Sequence, residues 1–110
     1  MKPERFDRRI TLRRFSVTYD SHNQPTEAWT DVDTVWASWR RASANEQLAS
    51  MQVGAMVTDI FEIRWSSTVE DINPKDRLTY AGREYDISEV TEIGRRDGLL
   101  IRATARADRA

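Results

Sequence analysis

Cysteine is absent from this 110-residue chain, so disulfides and thiolate metal centres are excluded and packing alone must hold the fold. No run approaches the roughly 18 consecutive apolar residues that a membrane helix needs. The opening Met1-Lys2-Pro3-Glu4-Arg5 lacks the apolar core of a secretion signal. The expected place of synthesis is therefore the cytoplasm, with no membrane partner. Neither charge sign dominates: 17 basic and 18 acidic residues leave a formal net charge of −1. Because the two signs are interspersed along the chain, a basic stripe for nucleic acid is missing. Only four glycines occur, in no phosphate-cradling spacing.

Catalytic constellations are equally scarce. His22 is the single histidine and sits in a polar turn. No Gly-x-Ser-x-Gly elbow offers a nucleophile. The carboxylates Glu70 and Asp71 are neighbours on a polar stretch where nothing would shift their titration. Asp31 and Asp33 are the nearest approach to a calcium loop, but the twelve-residue ligand pattern is missing. No catalytic, metal or cofactor-binding residue is assigned, and no enzymatic activity is expected.

What the chain does have is period-two alternation broken by short turns, which predicts an all-β fold, a small antiparallel barrel or sandwich. One domain spans residues 1–110. The first strand runs over 8–19. Ile10 and Leu12 share one parity there, and Phe15, Val17 and Tyr19 the other, which predicts a bulge near Arg13 and Arg14. Asp20 to Pro25 reverses the chain. The return passes through Glu27 to Trp29, breaks at Asp31–Asp33, and continues from Thr34 to Arg41.

Further strands follow over 57–65, from Leu78 through an Ala81-Gly82 turn to Ile87, and over Leu99 to Ala103. Val90 is out of phase and predicts a second bulge. Residues 66–75 read as a polar loop, Asp97-Gly98 as a turn signal, and 104–110 as a flexible tail. The expected core is Ile10, Leu12, Val35, Ala37, Phe61, Ile63, Leu78, Tyr85, Ile87, Leu99 and Ile101. Trp36 and Trp65 could join it, or, with the arginines, form a stacking face.

Between the strands, Ser43-Ala44-Asn45-Glu46 fits a capping box, and Gly54 is a plausible stop, so a short helix is predicted over 44–52 within a helical-loop insertion at 43–55. Leu48 and Met51 give it one narrow apolar edge. Such a segment is too short to be stable alone and must dock on something. Ser43, Glu46, Gln47, Leu48, Met51 and Gln52 are the candidate interaction residues. Trp39, Arg40 and Arg41 are a candidate interface, with the tryptophan either core or contact.

Four of these units occur in a familiar order: Arg8-Arg9-Ile10-Thr11-Leu12; the hairpin at Asn23-Gln24-Pro25 leading to Trp29 and Val35-Trp36-Ala37; Phe61-Glu62-Ile63-Arg64-Trp65; and the hairpin from Tyr80 to Ile87. Together they cover about residues 6–103. In order and spacing this resembles the head–tail joining (head-closure or stopper) proteins of long-tailed bacteriophages and related gene-transfer particles. The resemblance implies a small β-barrel with an extended loop, assembled as a ring. That ring would extend and close the portal channel after DNA packaging and dock the tail. Its implied partners are copies of itself, the portal or adaptor ring and tail-terminator proteins, with only non-specific contact to channel DNA. The implied location is the virion. The competing reading is an OB-like or SH3-like module for nucleic acid or peptide, in which bases would stack on Trp and Arg.

Overall fold

Alternating apolar residues form six antiparallel strands that close into a barrel, so the barrel portion of the sheet has no free edge. The computed structural model describes residues 6–52 and 56–106. The strands are β1 (Arg8–Tyr19), β2 (Pro25–Arg41), β3 (Asp59–Arg64), β4 (Arg77–Tyr80), β5 (Arg83–Ile93) and β6 (Gly98–Ala105), with one helix, α1 (Ala44–Gln52), between β2 and β3. Their order around the barrel is β1-β2-β3-β6-β5-β4, and β4 returns to β1. Gly54 lies outside the described residues, as do 107–110 of the expected tail. Thr104 and Ala105 of that tail belong to β6, where they pair with Asp86 and Tyr85.

Ten of the eleven expected core residues are buried, and Val35 packs half-buried against them. Phe61 sits at the centre, edge-on to Tyr80 and Tyr85 with ring centroids 5.6 and 5.4 Å away. Two parts of the interior differ from expectation. The stretch 66–76 is a folded cap: backbone bonds from Val69 to Ser66 and from Ile72 to Val69 coil it, and both apolar side chains enter the core. In addition, Ile60 faces away from Phe61 and joins Ala42 and Val57 in a second, smaller cluster. β3 is thus apolar on both faces, which alternation alone does not predict.

Both expected bulges exist, with a correction to the first. The register slips between Leu12 and Arg13 on β1, but the extra residue is Val32 on β2: Leu12 pairs with Asp33 and Arg13 with Asp31. β1 itself alternates without interruption. Its apolar residues, not its backbone, change sides. β2 likewise passes through Asp31–Asp33 unbroken. The second slip lies between Ile87 and Glu89, next to Val90.

Turn chemistry matches local need. Ala81 and Gly82 both have positive φ, 56° and 80°, as a two-residue hairpin with right-handed twist requires. At the tip of β1–β2, Asn23 takes the left-handed region (φ 61°), while Asp20 Oδ1 accepts from the backbone amides of His22 and Gln24, each at 2.8 Å. Between β5 and β6 the reversal falls on Gly94 and Arg96, both with positive φ. Gly98 of the Asp97-Gly98 signal instead starts β6 opposite Ile93.

Candidate interaction surface

Six residues of β1 leave the barrel. Only Ile10 to Arg13 bond to β4, and on β2 only Ala37 to Arg41 bond to β3. From Arg14 to Tyr19 and from Pro25 to Thr30 the two strands bond only to each other, forming an arm. β2, at about 3.3 Å per residue, nearly matches the molecule's 49 Å long axis. Residues opposite each other in an antiparallel pair share a face. One face of the arm therefore carries Phe15, Val17 and Tyr19 with Trp29, Glu27 and Pro25. Phe15 and Val17 are 42% exposed and Tyr19 63%, high values for large apolar groups. Phe15 and Trp29 meet at 5.4 Å between centroids. A two-stranded ribbon with one apolar face and no third strand is marginal in water by itself.

At the arm's base an ion-pair cluster holds it to the cap of 66–76. Arg14 Nε and Nη2 donate to the two oxygens of buried Asp76 at 3.1 and 3.0 Å, and Nη1 donates to Asp71 at 3.2 Å. These bonds raise the Arg14 pKa above its ordinary value and lower that of Asp71. Beside the cluster, Phe15, Trp29 and Pro74 border an open hollow of about 600 Å³, with Lys75 on its rim. Lys75 has no ion partner among the described residues. Nearby, the Arg77 guanidinium lies 4.2 Å from the Trp29 ring centroid.

The second appendage is α1. Its capping box is formed as expected: Glu46 N donates to Ser43 Oγ at 3.2 Å, and Ser43 N donates to Glu46 Oε1 at 2.8 Å. Arg40 adds a bidentate pair, its two Nη atoms each 2.8 Å from a Glu46 oxygen. Chiefly through Arg40, then through the Ser43 amide, the Glu46 carboxyl is pulled down to about 2. Gln47 Nε2 donates to Ala42 O at 3.0 Å, and Ser50 Oγ accepts from Val57 N at 3.3 Å. These polar bonds are its principal tethers, since α1 buries none of its side chains. Leu48 and Met51, one turn apart, are 58% and 57% exposed, and Gln52 is also exposed.

The candidate interface at the end of β2 divides. Trp39 turns inward: its ring packs on the core, and Nε1 donates to buried Asp59 at 2.8 Å. Arg40 is committed to Glu46, while Arg41 is exposed with no ion partner among the described residues. Outward-facing Trp36 is 53% exposed, with the Arg9 guanidinium 4.8 Å from its ring centroid, so it is not core. Asp31 pairs with Arg13 at 3.1 Å, and Asp33 accepts from the Thr34 amide at 2.9 Å. His22 lies on the exposed tip.

Sequence reasoning identified α1 but missed the arm's apolar face. The signal was the parity switch in β1, which was assigned to a backbone bulge. It reports instead that the apolar side of the strand becomes the outer side once the third strand ends.

Comparison with known proteins places this architecture. The sequence model of the phage head completion proteins matches residues 1–106. The solution structure of protein SF1141 from Shigella flexneri 2a shares 29% identity, covers 99% of this chain and 100% of that one, and superposes with a TM-score of 0.80. A chain from the virion of a native gene transfer agent particle shares the fold at 18% identity and a TM-score of 0.55, covering 93% and 94% of the two chains. No curated protein matches the sequence.

Proposed function

The chain belongs to the phage head completion protein family, and on that premise we propose that it works as one subunit of a homo-oligomeric ring at the head–tail junction. Membership makes it a structural component of a phage head; the ring, its position and its action are our reading. In that reading the ring extends the portal channel, closes it after DNA packaging and presents a docking surface to the tail. Its neighbours are further copies of the chain, the portal or adaptor ring on one side and a tail-terminator protein on the other. The subunit performs no catalysis, is made in the host cytoplasm and ends in the virion, where it touches channel DNA without sequence preference.

One observation carries this reading: a barrel with a well-filled interior bears two appendages that leave large apolar side chains exposed, Phe15, Val17 and Tyr19 on one and Leu48 and Met51 on the other. Segment 43–52 is capped and tethered by polar bonds, but its Leu48–Met51 edge is presented to solvent. Burying two such side chains stabilises by only a few kcal/mol at about 25 cal/mol per Å², which suits contacts that become strong by repetition around a ring. Arg41, beside the α1 cap, is a polar rim residue of the same boundary.

The test is electron microscopy of the chain mixed with portal and adaptor rings. Added ring density below the adaptor is expected. Replacing 45–53 by a short Gly-Ser linker should leave the barrel folded and remove that density. If the intact chain adds no density and instead binds DNA with an affinity falling steeply with salt, the nucleic-acid module is the better reading.

A further inference from the structure

The arm and α1 stand at opposite ends of one strand. β2 begins at Pro25 on the arm and ends at Arg41, three residues before α1. One end offers a recess, the hollow bordered by Phe15, Trp29 and Pro74. The other end offers a ridge, the exposed Leu48 and Met51. A ridge and a recess on different parts of one subunit make a head-to-tail contact that repeats from copy to copy. We infer that α1 of one copy seats in the recess at the arm's base of the next copy, with Leu48 and Met51 against Phe15, Trp29 and Pro74. This contact rests on the ring reading above and specifies its geometry.

Charge favours a second copy over other occupants. The arm's apolar face carries a single charged residue, the acidic Glu27. Of the cations lining the recess, Arg14 is committed to Asp71 and Asp76 and Arg77 to Glu84 and Asp86, which disfavours a phosphate backbone. On α1 the only charged residue is Glu46, already held by Arg40, and the last turn has no basic residue. Among the described residues no basic side chain of the helix therefore offsets the partial negative charge, about half a unit, of its C-terminal carbonyls. Lys75, on the rim of the recess and without an ion partner among the described residues, supplies the missing cation once the neighbouring helix enters. Size fits as well. A stable interface buries about 800 Å² on each partner. Two side chains in one recess supply only part of that, so isolated pairs dissociate readily and closure of the ring holds them.

Because the natural chain has no cysteine, the contact can be trapped. Pro74→Cys and Gln52→Cys, both exposed, are combined in one chain that is mildly oxidised while assembling with the portal and adaptor rings. A ladder of covalent species beyond the dimer is expected, and either single variant should stop at the dimer. Thr18→Cys with Gln52→Cys places the thiol on the arm's other face and should give at least tenfold less ladder. An equal ladder from this control overturns the contact. Met51→Asp, also exposed, should abolish ring formation without changing the melting temperature; rings that form normally from it likewise overturn the contact. Should the wild-type chain form rings while the Pro74/Gln52 pair stays uncrosslinked, this geometry is wrong and the ring reading survives. If no rings form from any version, the ring reading itself falls, and the contact with it.

Discussion

The two halves of the β1–β2 ribbon show the same alternation and meet opposite fates. In the barrel half, Ile10 and Leu12 point inward, β4 and β3 flank the ribbon, and both side chains are fully buried. In the arm half, Phe15, Val17 and Tyr19 alternate just as regularly, yet no third strand flanks them and all three are exposed. Apolar periodicity therefore identifies a face that wants covering. Whether the cover is the chain's own sheet or another molecule depends on strand lengths: β4 is only four residues long and ends opposite Arg13.

The sharpest way to break this comparison is to truncate one aromatic in each half. Phe61→Ala should cost about 3–5 kcal/mol, because a cavity opens where packing is tightest. Phe15→Ala should cost about 1 kcal/mol, chiefly the lost pairing with Trp29. Both are read from chemical denaturation. Equal losses would mean that the arm is an integral part of the core.

Between these extremes lies the joint. Arg14→Met should cost about 2 kcal/mol, since two charge-assisted bonds to buried Asp76 are lost, with solvent access to the guanidinium moderating the effect. The arm amides should lose exchange protection before the barrel amides do. Uniform loss would show that the joint anchors the whole barrel.

Gly82→Val sharpens the same contrast from the backbone side. A Cβ there meets nothing within 4 Å, so the cost is conformational alone, about 1–2 kcal/mol for a side chain forced into the left-handed region. A thermal melt of the variant checks it; a loss as large as that of Phe61→Ala would point to a steric cause.

The smallest effect concerns α1. Arg40 and the Ser43 amide pull the folded Glu46 carboxyl down from the ordinary 4.5 to about 2. Its contribution is therefore complete above pH about 4.5 and is lost as pH falls through about 2. Acidification across that window should release protection of the α1 amides while β3 and β6 stay protected. Glu46→Gln should remove the pH dependence of α1. If protection persists unchanged to pH 2, the capping carboxylate does not hold the helix.

Much of the barrel was legible because period two, turn residues and a capping box are local properties. Ile10, Leu12, Phe61, Ile63 and Ile101 could be placed inside from alternation alone, and α1 from Ser43 and Glu46. Val69 and Ile72 could not, since they enter the core from an irregular cap whose polar composition reads as solvent-exposed. Val32 was hidden for a related reason: a bulge on β2 leaves its trace as a parity change against β1, and either strand could have held it. Trp39 and Trp36, each left open between core and surface, are settled by their surroundings. Asp59, twenty residues away, satisfies the indole of one, while Arg9 covers the other without burying it. Such partners are non-local, so no window of sequence contains them.

β2 also has a mechanical consequence. It runs from the arm to the residues that cap α1, bonded to β1 as far as Ala37 except at the Val32 bulge, and to β3 from Ala37 to Arg41. Antiparallel hydrogen bonds lie perpendicular to their strands. Tension applied between the two appendages would therefore pull along β2 and strain its bonds in shear, many together rather than one after another as in unzipping. A subunit gripped at both ends by its neighbours would resist the outward pressure of a filled capsid as a tie-rod does. The barrel would then serve as the clamp that keeps the rod from sliding.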